Sequence, residues 1–396
     1  MVVLSYVQLR EVGRIIPASW SDLYPQWAAS KAALHGENPY SDAVTQEIQR
    51  GFYGRVLVPG DTFDLQNFVY PAHLIFLLAP FTGLPWTVVR ILFTVLAPPV
   101  IAATVWAWFE VLGLRLDRTH KMAAIGLTLV CWPAFWSYQQ QQPSVYVIAM
   151  LAFALLLFRR GWDLGAGLLL AFATVKPTLV APLVLWLLLV GVAQRRWRFV
   201  GATLVCTSVL LIGAEFLVPG WIGTWINISR VYSQDPRKTI LLVKVFGQTL
   251  GIAATLAMLG VMGLRLWKTR YARPQDSDFG QAISMILAAT LCIIPTTKWM
   301  IYNDLLLVPA ILLLTIAGPV RSYAKPLVAL AILAFCISYV VTPVCAAASL
   351  AVGYAPFLAV VPFFANFSLP IAVLAATLTL RGGPIATFSQ NPATPN

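Results

Sequence analysis

The sequence predicts an all-α, polytopic transmembrane helix bundle preceded by a polar, extracytoplasmic first loop. Hydrophobic residues make up 59% of the 396 positions and charged residues 11%, whereas soluble domains are roughly a quarter charged. Apolar stretches recur along the chain, some of about 18 residues or more and several of only about 12–16. Acidic residues are unevenly spread, with seven of the fifteen falling within residues 1–68.

Apolar runs are read near 85–112, 122–137, 145–158, 164–176, 178–193, 199–217, 245–266, 281–296, 301–317, 326–347 and 356–380. The short ones imply tilted, broken or protein-buried segments rather than uniform lipid-facing helices. This gives three regions: a loop with juxtamembrane helices over 1–84, a transmembrane domain over 85–381, and a tail over 382–396 whose composition predicts disorder.

Basic residues orient the bundle. Arg115, Arg118, Lys121, Arg159, Arg160, Arg195, Arg196 and Arg198 fall in short loops of one parity, as do Arg265, Lys268, Arg270, Arg273, Arg321, Lys325 and Arg381. The positive-inside rule makes that side cytoplasmic. It also accounts for most of the net charge of +12, so no nucleic-acid partner is needed. The opposite face then carries residues 1–84, the Gln139–Gln142 run, the 218–244 loop and the Thr296–Asp304 turn.

Nothing before residue 68 is apolar enough to span, and no signal-peptide core is visible. A first helix missing from the recorded start would resolve the topology and bring the total from about eleven spans to about twelve. Residues 69–82 are apolar but short, and a crossing there would invert every later loop. They are expected to lie in the outer interface or dip back into it.

Cys131, Cys206, Cys292, Cys336 and Cys345 are scattered through or beside apolar runs without metal spacing and read as core filler. With three histidines and no HxxH or HExxH pattern, the sequence indicates no metal site and no cofactor.

Asp22 begins a turn and helix in which Trp20, Leu23, Trp27 and Leu34 are available to face the membrane. Ser21 or Asp22 could be an N-cap, with Pro25 in the first turn. A carboxylate held just above a bilayer is also where partial burial tunes a general base. Lys176 falls at the break between two short apolar runs, and an intramembrane cation is functional by default, although snorkelling to the interface is its bland alternative. Arg230, Lys244 and Lys298 are further basic candidates on the same side, with Arg90 at the start of its span. Arg230, Arg237 and Lys238 also read as solvated loop charge or headgroup contacts. Gln142 and Gln248 could hold sugar hydroxyls. Trp221, Trp225 and Trp299 suit either sugar stacking or the aromatic belt.

These residues resemble a family. Asp22-Leu-Tyr-Pro-Gln-Trp-Ala-Ala-Ser-Lys-Ala-Ala-Leu-His-Gly-Glu-Asn-Pro-Tyr40 is similar to the opening of the polyprenyl-phosphate-mannose-dependent α-mannosyltransferases of glycosyltransferase family 87, members of the C-type membrane superfold. Tyr70-Pro71 resembles their Y-P-P segment, Gln142-Pro-Ser-Val their G-Q-x-x element, and Gly165 to Pro177 their A-G-L-L-L-G-L-A-x-x-x-K-x-x-P stretch. Where the family often has a Ser-Pro-x-x-Trp-x-His turn, this chain reads Pro295-Thr-Thr-Lys-Trp299-Met-Ile-Tyr302.

The resemblance implies an inverting transfer of a sugar, mannose by preference, from a polyprenyl-phosphate-linked donor to a glycolipid or glycan acceptor at the extracytoplasmic face of a bacterial inner membrane. Asp22 would be the base. Lys176, Arg230, Lys244 and Lys298 would hold the phosphate. Tyr24, Tyr40, Tyr70, His73, Gln142, Gln248 and Trp299 would line the substrate, and a divalent metal is optional. The competing class is a lipid or sugar transporter or flippase, whose signature would be midplane acids, paired broken helices and related halves. Here the acids read as loop residues, with Glu110 and Glu215 near span ends.

Overall fold

The computed structural model describes residues 21–61, 63–234, 238–296, 300–316 and 369–378, with isolated helical positions at 326, 329 and 333. The described residues are helical almost throughout. The expected spans at 326–347 and 356–380 fall largely outside them, as does the tail.

Three short helices form the first unit: α1 (Tyr24–Leu34), α2 (Asp42–Tyr53) and α3 (Leu74–Leu78), the last running into a 3-10 turn over Ala79–Phe81. Ser41 caps α2, its side chain accepting from the Val44 N–H. Residues 69–82 therefore do not build a spanning helix. The expected membrane face of α1 is corrected here: Leu23 and Trp27 turn into the protein while Leu34 is exposed, and Trp20 lies outside the described residues. Trp27 packs at a tilt against Trp86, 5.5 Å between ring centroids, and donates its indole N–H to the Phe81 carbonyl at 3.0 Å. Protein rather than lipid covers this apolar face.

The body follows as α4 (Trp86–Leu112), α5 (Arg118–Val130), α6 (Trp132–Gln140), α7 (Pro143–Arg159), α8 (Asp163–Ala173), α9 (Pro177–Ala193), α10 (Trp197–Leu217), α11 (Trp221–Ser233), α12 (Leu241–Phe246), α13 (Gln248–Thr269), α14 (Ser277–Ile293) and α15 (Val308–Ile316). Among the described residues α4, α10 and α13 are long and apolar enough to cross a membrane, and several shorter apolar helices pack among them. This is an integral membrane protein. Pro98 and Pro99 lie inside α4, which costs about 3 kcal/mol in a soluble helix but is tolerated where neighbouring helices re-satisfy the backbone.

The run read as a span over 122–137 is two helices. Cys131 is extended between α5 and α6, and Pro133 lies in the first turn of α6, where its missing N–H and preset φ suit a new start. A second break follows at Gln141, left-handed at φ 46°, and α6 meets α7 at a bend of 119°. The stretch 301–317 likewise divides, opening as a 3-10 segment over Met300–Leu307 before α15. Two strands, β1 (Thr239–Ile240) and β2 (Pro295–Thr296), pair antiparallel and join the loop after α11 to the end of α14.

The basic loops gather at the other ends of these helices. Arg159 donates to the Val111 carbonyl at 2.9 Å, Arg196 to the Phe158 carbonyl at 2.7 Å and to Asp163, and Gln194 to the Ala272 carbonyl at 2.8 Å. Successive helix ends are thereby clamped together.

One close helix crossing is α8 on α10. A Cβ on Gly167 would meet the Ala202 Cβ at 2.7 Å and the Thr203 backbone nitrogen at 2.8 Å. Gly201, on the same partner helix, faces open space. Gly167→Leu is expected to cost about 1–3 kcal/mol through overpacking and to lower the thermal midpoint of the detergent-solubilised protein, whereas Gly201→Ala leaves it unchanged or raises it.

Candidate active site

Five separate segments converge at one end of the body. The first is the turn before α1. Its backbone is tied to the end of α6, with the Asp22 N–H donating to the Gln140 carbonyl at 3.0 Å and the Ser21 hydroxyl donating to the same oxygen at 3.3 Å. The Ser21 hydroxyl also accepts from the Leu23 N–H at 3.2 Å, closing the turn. Asp22 caps nothing. Its carboxylate accepts hydrogen bonds from the Gln142 amide and from the Tyr302 hydroxyl.

Lys176 comes from the break between α8 and α9. Pro177 opens α9, and the residue before a proline is pushed out of the helical region, so the chain must turn there. The Lys176 ammonium donates to the Ser144 hydroxyl at 2.5 Å. It lies 5.2 Å from the Tyr302 ring centroid and 5.8 Å from that of Tyr70, within cation–π range. Ser144 in turn sits 3.4 Å from the Gln142 side-chain oxygen and 3.2 Å from that of Asn303. Gln142, Ser144, Tyr302 and Asn303 are buried, while Asp22 and Lys176 keep some accessible surface. The site is thus a buried polar floor carrying two opposite charges that stay partly accessible.

Burial pushes the Asp22 carboxyl up to about 6, with nearby Lys176 opposing the rise and Asp64 adding to it. A carboxylate near neutrality suits proton transfer at ordinary pH. Asp64 has its own cation, Lys238, at 3.7 Å, and that ammonium lies 3.0 Å from the Tyr232 ring centroid.

The other expected residues divide. Tyr40 donates its hydroxyl to the Tyr70 carbonyl at 2.8 Å, holding the loop that presents Tyr70. Tyr24 packs among Trp27, Phe52 and Trp86, where it stiffens the first unit. His73 is buried, its ring nitrogen 3.2 Å from the Thr174 hydroxyl, two residues before Lys176. Trp225 donates to the Val69 carbonyl at 3.1 Å. Arg230, Lys244 and Gln248 are exposed on α11, α12 and α13 and form no part of the buried floor. Arg90 is half-buried on α4. Lys298, Trp299 and Arg237 lie outside the described residues.

Ser144, Tyr302, Asn303 and Asp64 complete the cluster without having been singled out in the sequence. A polar residue directly after Gln142-Pro143, and a Tyr-Asn-Asp run within an otherwise apolar stretch, were the available signals. Among the described residues no three His, Cys, Asp or Glu side chains converge as metal ligands. A small apolar cavity is lined in part by Trp108, Val145, Ile148 and Leu305.

The chain is thus a helical membrane protein with a carboxylate and an ammonium on one buried polar floor. The chain belongs to glycosyltransferase family 87, whose profile matches residues 68–343, and it is therefore a glycosyltransferase. Tyr70, Gln142, Ser144, Lys176, Tyr302 and Asn303 fall within the matched segment, and Asp22 precedes it. No curated protein and no solved structure matches the chain.

Tyr40→Phe deletes one buried hydrogen bond and leaves the Tyr70 carbonyl unpaired. The expected loss is about 1–3 kcal/mol, read as a lower thermal midpoint with membrane insertion intact.

Proposed function

We propose that this glycosyltransferase moves a sugar, mannose by preference, from a polyprenyl-phosphate-linked donor to a hydroxyl of a glycolipid or glycan acceptor, with inversion at the anomeric carbon. The observation that carries the reading is the convergence of Asp22 and Lys176, two residues far apart in sequence, on one floor through Gln142 and Ser144. Asp22 removes the acceptor hydroxyl proton. The freed oxygen forms its bond to the anomeric carbon as the bond from that carbon to the donor phosphate oxygen breaks. The electron pair leaves with the polyprenyl phosphate, whose developing charge meets the Lys176 ammonium. Gln142 and Tyr302 hold the carboxylate, and Ser144 holds the cation. A monophosphate leaving group can be received by such cations, so a metal is optional here.

In this reading residues 1–84 form an extracytoplasmic unit, residues 85–381 cross a bacterial inner membrane about eleven or twelve times, and 382–396 is a cytoplasmic tail. The basic helix ends clamped by Arg159 and Arg196 support this orientation, because positive loops stay inside. The site then faces the extracytoplasmic leaflet. Asp64, 3.7 Å from Lys238, acts on Asp22 electrostatically, and exposed Arg230 and Lys244 suit headgroup contact.

The test is transfer of radiolabelled mannose from polyprenyl-phosphate-mannose in membranes carrying the chain. Asp22→Asn is expected to lower transfer by about 10²–10⁴-fold, the usual contribution of a general base, with normal membrane insertion; undiminished turnover would sink the assignment. Because the base must be ionised, kcat/KM should fall as pH drops through about 6. A profile flat down to pH 4.5 would contradict it.

A further inference from the structure

Within the reading of the site just given, Asp22 and Lys176 present a problem of order. In the resting site the Lys176 charge favours the ionised Asp22 carboxylate without a direct ion pair, and a carboxylate held ionised by a nearby cation is a weakened base. The two heads are joined by a short polar chain: the Lys176 ammonium donates to Ser144 at 2.5 Å, Ser144 lies 3.4 Å from the Gln142 side-chain oxygen, and the Gln142 amide donates to Asp22. Tyr302 touches both ends, donating to the carboxylate and offering its ring to the ammonium.

We propose that Asp22 is a masked base, that the donor's phosphate monoester anion unmasks it by engaging Lys176, and that Ser144 is the positioning residue that keeps the ammonium between the two anions. Several features of the geometry support the exchange. Lys176 keeps accessible surface while its Ser144 anchor is buried, so an arriving anion meets the ammonium without displacing the floor. The Tyr70 and Tyr302 rings flank the cation, and neither can neutralise it as a carboxylate would. Asp64 is already matched with Lys238 at 3.7 Å, so it does not compete for Lys176. The consequence is a binding order built into the site. An acceptor arriving alone meets a weakened base, and the proton is removed once the leaving group is in place.

The groups facing Asp22 give the sign. Lys176, Gln142 and Tyr302 favour its charged form, whereas burial and Asp64 disfavour it. Tyr70, Tyr232 and Lys238 lie around them, on the loop before α3, on α11 and after it. Occupying Lys176 with an anion removes the main charge holding the carboxylate ionised. The Asp22 midpoint must then rise from about 6 toward the working pH, where a general base is most effective. An opposite charge at close range shifts a carboxyl by about 1–3 units, and because Lys176 reaches Asp22 through Ser144 and Gln142 the response is set at the low end, about one unit.

The experiment follows the protonated-carboxyl infrared band of Asp22, assigned by difference against Asp22→Asn, in the full chain in lipid nanodiscs. Farnesyl phosphate serves as the anionic probe and farnesol as the same chain without the anion, with binding followed by calorimetry. Farnesyl phosphate is expected to raise the midpoint by about one unit, and farnesol to leave it in place. Lys176→Gln is expected to begin with a raised midpoint and not to respond. Ser144→Ala is expected to insert normally and bind the probe, and to show a reduced response of the Asp22 band. Saturable binding of farnesyl phosphate with no change at Asp22 overturns the unmasking while leaving the transferase reading in place. A probe that does not bind overturns both. A full response in Ser144→Ala removes Ser144 from its positioning role.

Discussion

A carboxylate from the first loop and an ammonium from a helix break occupy one floor at the end of a membrane body, and the surrounding architecture serves to hold them there. A lone charge at such depth is costly, by several kcal/mol even after relaxation. The pair is tolerable because each head has its opposite nearby and polar side chains beneath it. Gln142 and Ser144 are two residues apart at the start of α7, and they serve the carboxylate and the cation respectively. The breaks in the helices follow from this requirement. Gln141 turns left-handed to end α6, Pro177 forces the chain to turn at Lys176, and a 3-10 segment delivers Tyr302 and Asn303 side by side. Continuous α-helices would have buried these groups against lipid or against one another.

The same constraint explains why the polar first unit is packed tightly rather than left as a solvated loop. Asp22 must be placed to within hydrogen-bond tolerance of Gln142, yet it precedes the first long helix by some 60 residues. Backbone bonds from Asp22 and Ser21 to Gln140 set its position directly. The Tyr24, Trp27, Phe52 and Trp86 cluster then locks α1 against the start of α4. A site assembled from sequence-distant parts gains precision only when each part is rigid.

Composition and apolar patterning made the helical membrane class legible, and the basic loops of one parity correspond to helix ends that the structure clamps together. The order of short motifs pointed to the family and to Asp22, Tyr70, Gln142 and Lys176, which the structure brings into one cluster. Other features were not legible, for physical reasons. Leu23 and Trp27 form an apolar face, and no pattern in a membrane protein tells whether lipid or protein will cover it. Tyr302 and Asn303 sat inside what reads as the apolar span 301–317, because hydropathy averages over the 3-10 segment that exposes them to the site. Ser144 was masked in the same way by the apolar run of α7. Arg230, Lys244 and Gln248 shared the expected side of the membrane, and side alone does not place a residue in a site.

The dependence of the fold on this charge pair is tested most directly by a double-mutant cycle on stability, using Asp22→Asn, Lys176→Met and the two together. The account predicts that each single change lowers the thermal midpoint, because it strands a partner's charge on a buried floor, and that the double variant recovers part of the loss. Coupling between charged residues in one hydrogen-bond network is about 0.5–3 kcal/mol. Strictly additive losses would contradict the account, because Asp22 and Lys176 would then occupy the same region without depending on each other.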